Sequence, residues 1–192
     1  MHHAHASLVA GNLWVGGDLD TRDLELARKQ LDELDRVGVT DILDLRLEWD
    51  DQEWVREGAP HIRYLWLGVD DAGQRMPDEW FDRGVAHSVA AIRRGATVLT
   101  HCHMGINRGP SMGFAIMLAL GWSPAAALDR IRGRRPIAHV GYAEDAVDWW
   151  LRRSGATTRE RTAGALQVQR WTRANHMDVA DVIRKIRSQE SS

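Results

Sequence analysis

Residues 96–121 leave this chain few folds to choose from. Ala96-Thr97-Val98-Leu99-Thr100 is short, apolar and β-branched, the composition of a buried parallel strand. His101-Cys102-His103-Met104-Gly105-Ile106-Asn107-Arg108 follows, then Gly109-Pro110-Ser111, and from Met112 to Leu120 the chain is apolar until Gly121 stops it. Proline in a first helical turn wastes no hydrogen bond, and a helix apolar on nearly all sides has to be buried. A buried strand, a tight turn and a buried helix are the unit from which open α/β sheets build ligand sites, at the carboxyl ends of their strands.

The turn carries the chemistry. Cys102 is the only cysteine in the chain, and five residues separate it from Arg108. Five residues can curl so that successive N–H groups point inward, and the positive end of the following helix reinforces the anion cradle they make. A cysteine at the floor of that cradle, next to a guanidinium, is expected to be a thiolate nucleophile near neutral pH. Arg108 offers a planar fork suited to two phosphoryl oxygens. Transfer of a phosphoryl group also needs an acid for the leaving oxygen and a base for water, and one carboxyl group can serve both. Tyr64-Leu65-Trp66-Leu67-Gly68-Val69 reads as a strand that leads into Asp70 and Asp71, adjacent acids in a turn before a helix beginning near Met76-Pro77-Asp78.

His-Cys, five residues, then Arg resembles the signature loop of the cysteine-based protein tyrosine phosphatases, and most nearly their dual-specificity branch, with supporting features from about Leu13 to about Leu151. The resemblance implies an α/β three-layer sandwich, with a central, mostly parallel sheet flanked by helices. It implies phosphomonoester hydrolysis through a cysteinyl-phosphate. Cys102 would attack phosphorus, and Arg108 with the amides of His103, Met104, Gly105, Ile106 and Asn107 would hold the phosphoryl oxygens. His101 would support the loop by hydrogen bonding behind the cysteine. Counting back from Trp80-Phe81, the family register favours Asp71 over Asp70 as general acid. The acid precedes the cysteine, unlike the order in low-molecular-weight phosphatases and arsenate reductases. A sulfurtransferase would need neither this Asp nor this Arg. No metal or cofactor is required on this reading. One position departs from the family: Gly109 stands where a serine or threonine normally hydrogen-bonds the sulfur. Asn107 and Ser111 are nearby substitutes, and slow breakdown of the intermediate, or a phosphate-binding protein without turnover, follows if neither serves.

The formal net charge of −2 points to neither nucleic acid nor a membrane surface as partner. The expected partner is a phosphorylated protein, because the loop lacks the paired lysines that suit an inositol phosphate; lipid, carbohydrate and RNA phosphates are the alternatives. No apolar run reaches the length of a membrane span and no signal-peptide pattern opens the chain, so a cytoplasmic protein is expected. A single cysteine excludes an internal disulfide.

The scaffold reads as alternating strands and helices: a first strand at Leu13-Trp14-Val15, a helix over 21–37, a strand over 39–45, a polar loop with Trp49 and Trp54 over 48–58, and helices over 123–132 and 141–153. Residues 1–155 are expected to form the catalytic domain. Residues 156–192 read as a helical extension with apolar Val179, Val182, Ile183 and Ile186, available for partner binding or self-association. His2, His3 and His5 read as a mobile tail. Arg130, Arg132, Arg134 and Arg135 read as a solvated face, and His139 as structural.

Overall fold

The fold follows from two short segments at the centre of the sheet, β2 (Leu13–Gly16) and β5 (Thr97–His101). A computed structural model describes residues 3–190, with side chains described through Ser188, and shows five strands and eight helices among them. The strand order is β1-β2-β5-β3-β4, with β1 (Ala6–Ala10), β3 (Val39–Arg46) and β4 (Arg63–Val69) completing the sheet. β1 pairs antiparallel with β2, and all other pairs are parallel. β5 therefore lies mid-sheet, and its carboxyl end opens directly into Cys102.

Alternation along the strands supplies two cores. On one face Ile42 and Leu99 meet Ala27, Leu31 and Leu34 of α1 (Leu24–Arg36) and Val55 of α2 (Gln52–Gly58). On the other, Leu13, Val15, Leu43, Leu45 and Val98 meet α3 (Asp78–Arg93), α4 (Arg108–Ala119), α5 (Pro124–Arg134) and α6 (Ala143–Arg153). Every residue from Arg108 to Leu118 is buried, as the apolar run predicts. This is the expected three-layer α/β sandwich with a mostly parallel sheet.

Three expectations are corrected. The chain before Leu13 is not a loose tail: β1 pairs with β2, His3 and Ala4 donate their amides to the Glu33 carboxylate at 2.9 and 2.7 Å, and the His5 carbonyl accepts from Gly17 at 2.9 Å. Its alanines and serine have weak strand propensity, and the neighbouring strand supplies the order. His2 lies outside the described residues. The stretch over 48–58 contains the helix α2, whose seven residues bury only Val55 and so show little helical period. The arginines after Leu128 are largely engaged: Arg130 Nε donates to the Val9 carbonyl at 2.7 Å, Arg132 Nε to Ala138 at 2.7 Å, and Arg135 is buried. Arg134 alone is exposed.

In the carboxyl-terminal part, α7 (Thr158–Ala174) opens with a capping box made by Thr157 and Glu160. It packs on α5 and α6, burying Val168, and the Trp171 indole donates to Asp129 at 2.6 Å. The last helix, α8 (Val179–Glu190), is capped by Asp178, whose carboxylate accepts from the Asp181 amide at 2.9 Å. No helix among the described residues is long and apolar enough to cross a membrane.

Where β3 ends, a buried charge cluster fixes the chain. Arg46, wholly buried, donates to Asp44 at 2.9 and 2.6 Å and to Asp51 at 2.6 Å, and lies 3.4 Å from Asp18. Tyr64 donates a short hydrogen bond to Asp44. Three carboxylates thus share one guanidinium. Burial opposes the charge on Asp44, yet the neighbouring cations and hydrogen bonds hold its carboxyl below the usual range. Asp51 goes the other way: burial pushes it up to about 6, Arg46 offsets this in part, and Asp44 and Asp18 add repulsion.

Breaking a buried pair leaves uncompensated charge, so Arg46→Met is expected to destabilise the fold by about 3–5 kcal/mol in a urea unfolding series. For Asp51 the folded-state pKa of about 6 exceeds the ordinary 3.8, so its contribution to stability is full below the lower value and is lost as pH rises through the higher. Asp51→Asn removes that loss; relative to wild type the variant is expected to gain on the order of 2 kcal/mol between about pH 4 and about pH 8, read from urea midpoints.

Candidate active site

The loop between β5 and α4 is shaped from outside. The carbonyl of His103 accepts from the Asp18 amide at 3.0 Å, those of Met104 and Gly105 from the Arg135 guanidinium at 2.8 and 2.6 Å, and that of Ile106 from the His139 amide at 2.7 Å. Across a planar trans peptide the N–H points opposite to the carbonyl. Four carbonyls pinned outward therefore turn the N–H groups of Met104, Gly105, Ile106 and Asn107 inward, and among the described residues these have no protein acceptor. This is the cradle expected from the spacing.

Gly105 makes the curl possible. Its φ is +62°, and a Cβ there would meet Arg135 Nη2 at 2.3 Å and the Gly16 carbonyl at 2.5 Å. The corner beyond Arg135 is itself strained: Val140 has φ +56°, unusual for a β-branched residue. It aims the Gly141 amide at Asn107 Oδ1, 2.6 Å away.

Cys102, Asp71 and Arg108 line one cleft of about 340 Å³, together with Glu48, His103, Met104, Ile106, Asn107 and His139. Cys102 is buried at its floor. Arg108 is held by three hydrogen bonds of 2.9 Å: Glu48 accepts from Nη1 and Nη2, and the Val69 carbonyl accepts from Nη1. Burial opposes the charge, but the Glu48 hydrogen bonds and attraction to Cys102, Glu48 and Asp71 hold the guanidinium more firmly protonated than free arginine. Its Nε is buried and makes no hydrogen bond, with Asp71 Oδ2 at 3.4 Å giving attraction without a directed bond. One donor of the fork is thus kept at the cleft.

Asp71 is tied down through a single oxygen. Asn107 Nδ2 and the Tyr142 hydroxyl both donate to its Oδ1 at 2.7 Å, leaving Oδ2 toward Arg108. Burial, then the contact with Asp71, raises the Tyr142 pKa well above the tyrosine range, so the phenol stays a donor. Asp70 caps its neighbour's amide at 2.8 Å and is absent from the cleft lining.

The remaining candidates are placed as follows. His101 is buried under the loop, with Nε2 3.7 Å from Asp44, too far for a direct hydrogen bond, and Nδ1 without a hydrogen-bond partner; burial lowers its pKa, and Asp44 opposes this in part. His103 Nδ1 contacts Asp18 at 2.8 Å, and its ring meets Trp49 edge-on at 5.5 Å. Trp49 also lies under the Arg46 guanidinium, linking the loop to the buried cluster. Trp54 packs against Arg28, outside the cleft lining. Gly109 presses on β5: a Cβ would meet the Thr100 carbonyl and His101 Cα at 3.2 Å. Ser111 accepts from the Tyr142 amide at 3.2 Å, and among the described residues no side-chain hydroxyl hydrogen-bonds the Cys102 sulfur.

Sequence reasoning missed Glu48, Tyr142 and Arg135. Glu48 sits in a polar stretch without period, and Tyr142 reads as the start of a helix. Arg135 reads like its exposed neighbours, and its position directly before Pro136 at a helix end is the one local signal of its role. Burial pushes its pKa down to about 10, which leaves it charged at neutral pH.

No family model matches the chain. Tyrosine-protein phosphatase yvh1 of Schizosaccharomyces pombe is 30% identical over 78 residues, 40% of this chain and 24% of that protein, so the chain spans about a quarter of that relative's length. The crystal structure of human DUSP28 superposes with a TM-score of 0.63 at 22% identity, over 78% of this chain and 95% of that one. PTPMT1 in complex with PI(5)P gives a TM-score of 0.61 at 18% identity, over 84% and 99%. The chain thus shares its fold with human DUSP28 and PTPMT1.

Proposed function

We propose that this chain hydrolyses phosphomonoesters through a cysteinyl-phosphate, with phosphotyrosine in proteins as the leading substrate. The observation that carries the reading is the meeting of Cys102, Asp71 and Arg108, whose Nε makes no hydrogen bond, in one cleft walled by inward amides. The Cys102 sulfur attacks phosphorus as the bond to the leaving oxygen breaks, and that oxygen takes the proton of Asp71 from Oδ2. The loop amides and Arg108 Nε bear the charge on the three equatorial oxygens, positioned before the reaction begins. In the second step Asp71 removes a proton from water, which displaces sulfur and returns phosphate and the thiolate.

Charge in the cleft supports one phosphoryl group rather than several. Glu48 and Asp71 already offset Arg108, and the loop contributes no lysine. Met104 and Ile106 offer apolar wall to an aryl group. A relative solved with PI(5)P makes an inositol lipid the competing substrate.

Gly109 carries a second reading. With no hydroxyl on the sulfur, the thiolate is a poorer leaving group in the second step, so the intermediate accumulates and turnover is slow. At its limit this is a phosphate-binding protein.

Metal-free, vanadate-sensitive hydrolysis of an aryl phosphate is expected, abolished by Cys102→Ser and lowered about 10²–10³-fold in kcat by Asp71→Asn. Vanadate binding without turnover would leave only the binding reading, and faster release from a phosphoinositide than from a phosphotyrosyl peptide would move the substrate to lipid. Rapid acid quench at steady state is expected to trap more than about half of the chain as phosphoenzyme, because breakdown is the slow step. Absence of trapped phosphoenzyme would place the slow step before the intermediate.

A further inference from the structure

The cleft has a wall that the catalytic loop does not supply. Val179, Ile183 and Arg187 of α8 line it opposite Met104, Ile106 and His139. These positions, with Val182 and Ile186, follow the i, i+3, i+4, i+7 spacing of one helical face. That face does not enter either core: of the described α8 side chains none is buried, and Val179, Val182, Ile183 and Ile186 are all half-buried. The acid Asp181 pairs with Arg184 and Lys185 of its own helix. α8 is joined to the firmly packed α7 by the short segment 175–178. An amphipathic helix is therefore laid across the mouth of the cleft by a modest apolar contact, at the end of a short hinge.

We propose that α8 is a size-selective cover of the catalytic cleft. Docked, it leaves room for a small phosphomonoester, whereas a phosphorylated side chain on a folded protein reaches Cys102 only when the helix lifts. Val179 and Ile183 are the residues that hold it down. The assignment of substrate size rests on the phosphatase reading above; the covering of the thiol does not.

Cys102 is the single thiol, which makes access to the cleft measurable without turnover. In the full chain, Val179→Asp/Ile183→Asp places two charges against the apolar wall, while Ala180→Asp, on the exposed side of the same helix, is the control. Alkylation of Cys102 is followed with iodoacetamide and with a maleimide bearing a large polyethylene glycol chain. A cover in place nine-tenths of the time slows a large reagent about tenfold, so the double variant is expected to react about tenfold faster with the large maleimide and less than about threefold faster with iodoacetamide. Ala180→Asp stays near wild type. The ratio of kcat/KM for a phosphotyrosyl protein over a small aryl phosphate is expected to rise by a similar factor. Equal rates with the large reagent in wild type and double variant would overturn the cover. So would a rise of the same size with both reagents, which would mark a loosened loop, or an equal effect from Ala180→Asp. A thiol uncovered as expected in a chain with no turnover would sink the phosphatase reading alone.

Discussion

The site depends on how four consecutive carbonyl oxygens are held. Asp18, Arg135 and His139 draw the oxygens of His103 through Ile106 away from the cleft, and the amide hydrogens turn toward it as a consequence. Left to itself a five-residue turn has many alternatives, and an inward array of like dipoles is unfavourable without an anion. Arg135 settles the competition with one buried cation that satisfies two of the four oxygens and also bonds the His5 carbonyl of the amino-terminal segment at 3.0 Å. The residues before β1, the corner before α6 and the loop from Cys102 to Arg108 are thus one hydrogen-bonded unit, though they are far apart in sequence.

The buried cluster around Arg46 works on the same loop from the other side. As an intact set its net contribution to stability is modest, because three carboxylates crowd one guanidinium and burial costs each of them solvation, even though removing Arg46 alone would strand all three. Its geometric effect is larger. Asp18 both pairs with Arg46 and contacts His103, and Trp49 bridges the two through its ring. The end of β3 and the start of the loop after β5 are held in one register by these contacts.

What the sequence made legible was whatever is local. The strand read over 96–100 and found over 97–101, the loop spacing, the all-round apolar α4 and the capped start of α5 each carry their own pattern, and they put Cys102 and Arg108 in the turn between β5 and α4. Asp71 is favoured over Asp70 by family register alone, and of the two it is Asp71 that lines the cleft. What stayed hidden was set by tertiary contacts. β1 is ordered by its neighbour, α2 is too short to show a period, and Arg135 looks like any exposed arginine until the loop folds against it. Glu48 has no motif around it, and the position of α8 over the cleft depends on the length of a hinge that no periodicity encodes.

The anchoring of Asp71 bears on where this chain spends its conformational entropy. In many enzymes a mobile loop delivers the acid only after substrate arrives, and each turnover repeats the ordering. Here Asn107 and Tyr142 already clasp one carboxylate oxygen of Asp71, the acid of the proposed mechanism. The ordering of the acid is completed when the chain folds, with Val140 held in its unusual backbone conformation as part of the cost. Substrate recognition then has no acid-loop closure to drive, and selectivity has to come from the walls of the cleft instead of from induced assembly of its chemistry.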